Sequence, residues 1–225
     1  MFFPGCLPLI AVLAFLILLP FFFAHLMLAA LAKLGLSPQV ALLTLLGILV
    51  GGSINIPIKR IPRREEYFAD PFSLFGFGYM FPRLRVRHRY TTLAVNVGGC
   101  VIPCIIAFYQ LLRVVSQGTH AIVAVLIVTT LSIIVCYRLA RPVPGIGIAM
   151  PALIPPLVAA VPSVLLMPDF APPIAFAAGV AGPLIGADLL HIREIKQVAT
   201  GMASIGGAGT FDGIVLSGLM AALLA

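Results

Sequence analysis

An all-α, polytopic transmembrane bundle of about seven spans, with helices broken by Pro and Gly, is the fold class this sequence predicts. Three observations predict it. Hydrophobic residues make up 61% of the chain and charged residues only 9%. A soluble domain carries about a quarter charged residues, so lipid must be the main solvent here. Seven apolar stretches recur along the 225 residues, each at or above the roughly 20 residues that cross a bilayer core. Basic residues also cluster, with eight of the fourteen Lys and Arg between Lys59 and Arg89.

The elements follow in order. The first apolar run, Cys6 to Ala32, has no basic residue before it and outlasts a signal-peptide core, so it reads as a retained span. The others cover about 37–57, 91–115, 119–138, 143–167, 172–191 and 204–225. Short turns near Lys33 and Gly118 separate neighbours. The run 143–167 holds Pro144, Pro151, Pro155, Pro156 and Pro162. Proline removes a backbone donor and kinks a helix, and broken backbone at membrane depth must be buried in protein or line a cavity. This run is therefore expected inside the bundle. Glycine pairs at Gly47/Gly51, Gly182/Gly186 and Gly209/Gly213 have the spacing of close helix contacts.

The chain 1–225 reads as a single membrane domain, interrupted by one polar stretch, 58–90, expected as a cytoplasmic loop. It mixes Phe72, Phe75, Phe77, Tyr79 and Phe81 with Arg83, Arg85, Arg87 and Arg89. Aromatic and basic residues together suit the headgroup layer, so the bilayer and its anionic headgroups are the expected partners of these arginines. The strict alternation also fits a short strand with one basic face. Nucleic acid is not an expected partner, because about thirty residues leave little room for a basic folded face.

Charge fixes an orientation. With 58–90 in the cytoplasm and sides alternating, Arg138, Arg141, Arg193 and Lys196 also fall inside, and only Lys33 and Arg113 fall outside. The split is 12 to 2 of the fourteen basic residues, a strong positive-inside bias. The expected location is the cell's inner membrane, N-terminus cytoplasmic and C-terminus outside.

The polar residues within the spans gather at one level. Asp188 lies about 22 Å inward from Pro173, and Asp212 about 20 Å inward from Ala225, at about 1.5 Å per helical residue. Both fall in the cytoplasmic third of a core of about 30 Å. An intramembrane carboxylate costs about 2.5–3.5 kcal/mol or more, so it faces the interior and marks a function. Asn55, Asn96 and the stretch Gly206, Gly207, Gly209 and Thr210 fall on the same side. These are the candidate ligand-binding residues, with Asp188 and Asp212 as the candidate catalytic pair. His191, one turn from Asp188, joins the ligand-binding set. Asp212 has a second reading as a residue serving a helix N-terminus, with Thr210 as its cap. Four cysteines, Cys6, Cys100, Cys104 and Cys136, lack zinc or disulfide-framework spacing. Cys100 and Cys104 read as packing residues on one helix face, and neither a metal site nor a cofactor is expected.

Five motifs carry a resemblance: GSINIP at 52–57, AVNVGGCVIP at 94–103, GIGIAMPALIP at 145–155, GADLL at 186–190 and SIGGAGTFDGIVLSG at 204–218. They resemble a family of prokaryotic multi-pass membrane proteins, domain of unknown function 1614. The resemblance implies a shared fold and brings no known activity. A second resemblance is to presenilin-like and prepilin-type aspartyl proteases, which place one Asp on each of two consecutive spans, the second in GxGD. Here two extra residues separate the glycines from Asp212. Pro151, Ala152 and Leu153 match the presenilin ProAlaLeu motif but precede the aspartates instead of following them.

Three functions fit these features. An intramembrane aspartyl hydrolase would share one proton between Asp188 and Asp212. An ion- or proton-coupled transporter would use the same carboxylates with Asn55 and Asn96 as co-ligands. A scaffold or lipid-binding protein would use 58–90 alone. No Walker loop, zinc-protease motif or dinucleotide fingerprint is present.

Overall fold

The computed structural model describes residues 6–68, 84–143, 147–197 and 202–225. Phe72, Phe75, Phe77, Tyr79, Phe81, Arg83 and Pro144 lie outside the described residues. Among the described residues the body is a bundle of seven α-helices: α1 (Cys6–Lys33), α2 (Pro38–Gly51), α3 (Ile102–Val115), α4 (Thr119–Leu139), α5 (Ile154–Leu166), α6 (Ala171–Ala181) and α7 (Gly213–Leu224). Four helical stretches among these residues are long and apolar enough to cross a membrane: Ala11–Lys33, Val97–Val115, Thr119–Leu139 and Pro168–Leu189. Two of these extend an α-helix with π-helical backbone, Val97–Val101 before α3 and Gly182–Leu189 after α6. The other three helices, α2, α5 and α7, have 12 to 14 residues. At about 1.5 Å per residue they reach only about 18–21 Å.

Those three are shorter than their apolar runs because part of each run takes another conformation. The second run stops being helical at Gly51, and from Asn55 it becomes β1 (Asn55–Phe68). The third begins as β2 (Leu84–Asn96), antiparallel to β1 from Asn55↔Asn96 to Phe68↔Leu84. Arg85, Arg87 and Arg89 thus lie on a strand, with Arg87 opposite Glu65 and Arg89 opposite Arg63. β5 (Met202–Ile205) pairs in parallel with β2 over Thr92–Val95, making a three-stranded sheet with β5 at one edge. In the fifth run the prolines yield two short antiparallel strands, β3 (Arg141–Val143) and β4 (Gly147–Ala149), before Pro155 and Pro156 start α5. Proline suits the first turn of a helix because that N–H has no intrahelical partner. Hydropathy alone cannot separate an apolar strand from an apolar helix.

The proline-rich run is expected inside the bundle, and α5 meets that on one face only, while α6 is the most buried helix. α6 packs against α3, α4, α5 and α7, and nine of its eleven residues are buried. Its Ala, Gly and Pro side chains let helices approach from every side. α5 buries Pro155, Pro156, Ala159, Ala160 and Ser163 on one face and exposes Leu153, Leu157, Val161 and Leu165 on the other. Its larger side chains suit lipid contact. The spacing Gly182/Gly186 does mark a close contact: a Cβ on Gly182 would lie 2.2 Å from Ser132 Oγ, and one on Gly186 would lie 2.4 Å from the Ile133 carbonyl.

Polar contacts tie the helix ends together at the far end from the sheet. Arg113 donates to the Leu34 carbonyl and, at 3.0 Å, to Gln110 Oε1, while Gln110 donates to the same Leu34 carbonyl at 3.1 Å. The Arg113 guanidinium also lies 5.5 Å from the Phe170 ring, and Lys33 donates to the Leu223 carbonyl at 2.7 Å. These contacts join the ends of α1, α3 and α7 to the starts of α2 and α6, so successive helices run in opposite directions. Arg113→Ala removes the charged donor and leaves the fully buried Gln110 carbonyl oxygen without a partner. A loss of about 2 kcal/mol is expected, read as a lower melting temperature in detergent.

Candidate functional site

The opposite end of the bundle, where the sheet meets the helices, holds a pocket of about 580 Å³, within the size range of ligand sites. Its walls are β5 with the turn to Ala208, β4 with Met150 and Ala152, the π-helical segment at Pro183, Ala187 and Asp188, and the start of α7. Asn55 at the base of β1 completes it. The candidate residues Asp188, Asp212, Asn55, Gly206 and Gly207 therefore share one cavity.

The two aspartates are held differently. Asp212 is the N-cap of α7: Oδ1 accepts from the Ile214 N–H at 2.9 Å and Oδ2 from the Ala208 N–H at 3.3 Å. The capping reading of Asp212 thus matches the geometry, with Asp212 in the role expected of Thr210. A carboxylate has about four lone-pair sites, so both oxygens can still receive a further bond from the pocket. Asp188 is half-buried near the end of the π-helical segment, where the wider turn displaces it from the regular α-helical register. Among the described residues its carboxylate accepts no hydrogen bond and meets no cation.

Asn55 and Asn96 form a network at the pocket floor. Asn96 is fully buried. Its Nδ2 donates to the Gly52 carbonyl at 2.8 Å and to Asn55 Oδ1 at 3.1 Å, while its Oδ1 accepts from the Gly99 N–H at 2.7 Å. Ser204 Oγ donates to the same Asn55 Oδ1 at 2.5 Å. Asn96 thereby caps the π-helical turn and locks the end of α2 to the start of that turn.

Four sequence candidates lie outside the pocket wall. Asn96 is internal, with all its polar atoms satisfied. Gly209 has a left-handed backbone, φ 60°, and backs onto Gly52. Thr210 sits in the short 3-10 turn Gly209–Phe211. His191 is buried, its Nδ1 is 3.0 Å from both the Gly186 and Ala187 carbonyls, and its ring lies 4.8 Å from that of Tyr137. Two carbonyl acceptors require the proton on Nδ1, so this histidine closes the end of the helix. The sequence reading missed Ser204, Met150 and Phe211 as pocket residues. Ser204 opens the 204–218 motif, the one signal that could have found it. Cys100 and Cys104 are free thiols with sulfurs 4.0 Å apart, as packing neighbours one turn apart should be.

A model of the family described as "Protein of unknown function (DUF1614)" matches residues 49–224. The chain belongs to the DUF1614 family. No curated protein matches it, and no solved structure does. The matched range starts near the end of α2 and includes every pocket-lining residue of this DUF1614 protein, while α1 falls outside it.

Proposed function

We propose that this DUF1614 protein is an intramembrane aspartyl hydrolase that cleaves an amide bond in the pocket shared by Asp188 and Asp212. The observation that carries the reading is the contrast between two carboxyls lining one cavity. Asp212 is oriented by two backbone N–H donors and is suited to act as the base, whereas Asp188, which accepts none among the described residues, is suited to carry the shared proton. Pairs of carboxyls whose surroundings differ in this way divide the acid and base roles. Asp212 takes a proton from water as the hydroxyl adds to the carbonyl carbon, and Asp188 gives its proton to the carbonyl oxygen. The tetrahedral diol then breaks its C–N bond as Asp212 protonates the leaving nitrogen and Asp188 recovers a proton from a diol hydroxyl. One water is consumed, and an acid and an amine are released.

Two further features support a peptide as substrate. β5 is an edge strand, and the unbroken run Met202–Ala208 lines the pocket; an edge strand complements an extended chain. Ala152, from the stretch that resembles the presenilin ProAlaLeu motif, lies in the same wall. The 12-to-2 charge split supports an inner-membrane protein with a cytoplasmic N-terminus, an outer C-terminus and a pocket open to the cytoplasm. Arg83, Arg85, Arg87 and Arg89 would then meet anionic headgroups.

One observation favours a second reading, a proton-coupled transporter: Asp188, without a partner among the described residues and on a broken helix, suits a proton carrier. A single preparation separates the two. Purified protein in vesicles containing a fluorogenic transmembrane peptide should cleave it, and Asp188→Asn should abolish cleavage. Proton uptake without cleavage, lost in Asp188→Asn, would favour the transporter.

A further inference from the structure

The sequence reading offered Asn55 and Asn96 as oxygen ligands for a cation. The hydrogen-bond network reverses that chemistry. The Gly99 N–H can donate only to an oxygen, and the Gly52 carbonyl can accept only from nitrogen, so the orientation of the Asn96 amide is fixed. Asn96 therefore presents a donor to Asn55, and the Asn55 atom facing it must be Oδ1. That oxygen accepts from Ser204 as well, which fills both its lone pairs. What remains of the Asn55 side chain is its NH₂ group, which has no acceptor among the described residues, on a residue that lines the same pocket as Asp188 and Asp212.

We propose that Asn55 is the carbonyl-recognising donor of this pocket, so that its ligand presents an acceptor oxygen, an amide or ester carbonyl, instead of a metal cation. The proposal rests on the hydrolase reading for the choice of an acyl compound. Asn96 and Ser204 are positioning residues: they hold the Asn55 amide so that its donor side is the one exposed. A donor fixed before the substrate arrives costs no reorganisation, and in hydrolytic sites removing one such donor lowers turnover by about 10²–10³-fold.

Asn55→Asp is the clean variant, because one carboxylate oxygen can keep both bonds from Asn96 and Ser204 while the other replaces the donor. The probes are two uncleavable N-acyl Leu–Ala isosteres, one with a ketomethylene and one with an ethylene group in place of the peptide bond. They differ by one acceptor oxygen and carry no charge there. Calorimetry on the purified full chain in detergent should show the wild type preferring the ketone by about tenfold. Asn55→Asp should lose or reverse that preference. An unchanged preference in Asn55→Asp, or none in the wild type, overturns the proposal. A second measurement needs no variant: the stretching frequency of a ¹³C-labelled ketone should fall on binding to the wild type, and an unshifted band overturns the donor role. Because the probes are uncleavable, the two ideas fail separately. Ketone preference without any peptide hydrolysis retains Asn55 and removes the hydrolase, and hydrolysis with an unchanged preference in Asn55→Asp does the reverse.

Discussion

Asp212→Asn is expected to lower peptide hydrolysis by about 10²–10⁴-fold, the range for loss of a general acid–base group, while leaving the protein folded. The separation follows from geometry. Asn and Asp rank together as N-caps, so the Asn side-chain oxygen can keep the bond to the Ile214 N–H now made by Oδ1. The amide cannot take a proton from water. Asp212→Ala should lose both properties, with the missing cap costing about 1 kcal/mol. Turnover and melting temperature of the two variants, measured side by side, check this. A purely structural Asp212 would give an active Asp212→Asn.

Gly99→Ala is expected to have the largest structural effect of any single methyl group near the site. A Cβ there would stand 2.0 Å from the Gly206 carbonyl oxygen, and one on neighbouring Gly98 would stand 2.1 Å from the Ile48 carbonyl oxygen. Both obstacles are backbone and cannot rotate away. Gly206 itself has φ 73° and lies against Gly99, so it too accepts no side chain without strain. The contact sets the turn after β5, which lines the pocket at Gly206, against the π-helical turn before α3. A loss of at least about 3 kcal/mol is expected, seen as little folded protein on size-exclusion chromatography in detergent. Gly213→Ala provides the control. Its Cβ would meet nothing closer than Met150 Cε at 3.9 Å, and alanine favours a helix more than glycine, so its stability should hold or rise slightly.

The sequence was most legible where apolar runs are helical throughout, as in α1 and α4, and where small residues mark contacts, as at Gly182 and Gly186. It was least legible where apolar residues take strand backbone. Ile56–Ile58 and Leu93–Val95 fall in or beside apolar runs, yet β1 and β2 extend through them. Orientation from charge and depth from helical rise brought Asp188, Asp212 and Asn55 to one level, and the structure lines one cavity with all three. Depth says nothing of the direction a side chain takes, so Asn96 and His191 fall on the same side as the pocket but point into the protein. Hydrogen-bond polarity was also invisible. The sequence names an asparagine, and only its neighbours decide whether it offers an oxygen or an NH₂.

The hydrolase proposal requires Asp188 and Asp212 to act together on one bound group. Its most direct test is the binding of a peptide isostere whose scissile bond is replaced by hydroxyethylene, measured on wild type, Asp188→Asn and Asp212→Asn. If the two carboxyls act as a pair, the hydroxyl, standing where the attacked carbonyl becomes a diol, bridges them, so wild type should bind it at least about a hundredfold more tightly than the matching amide, and each variant alone should lose that advantage. Equal binding of the isostere by all three proteins would contradict the account.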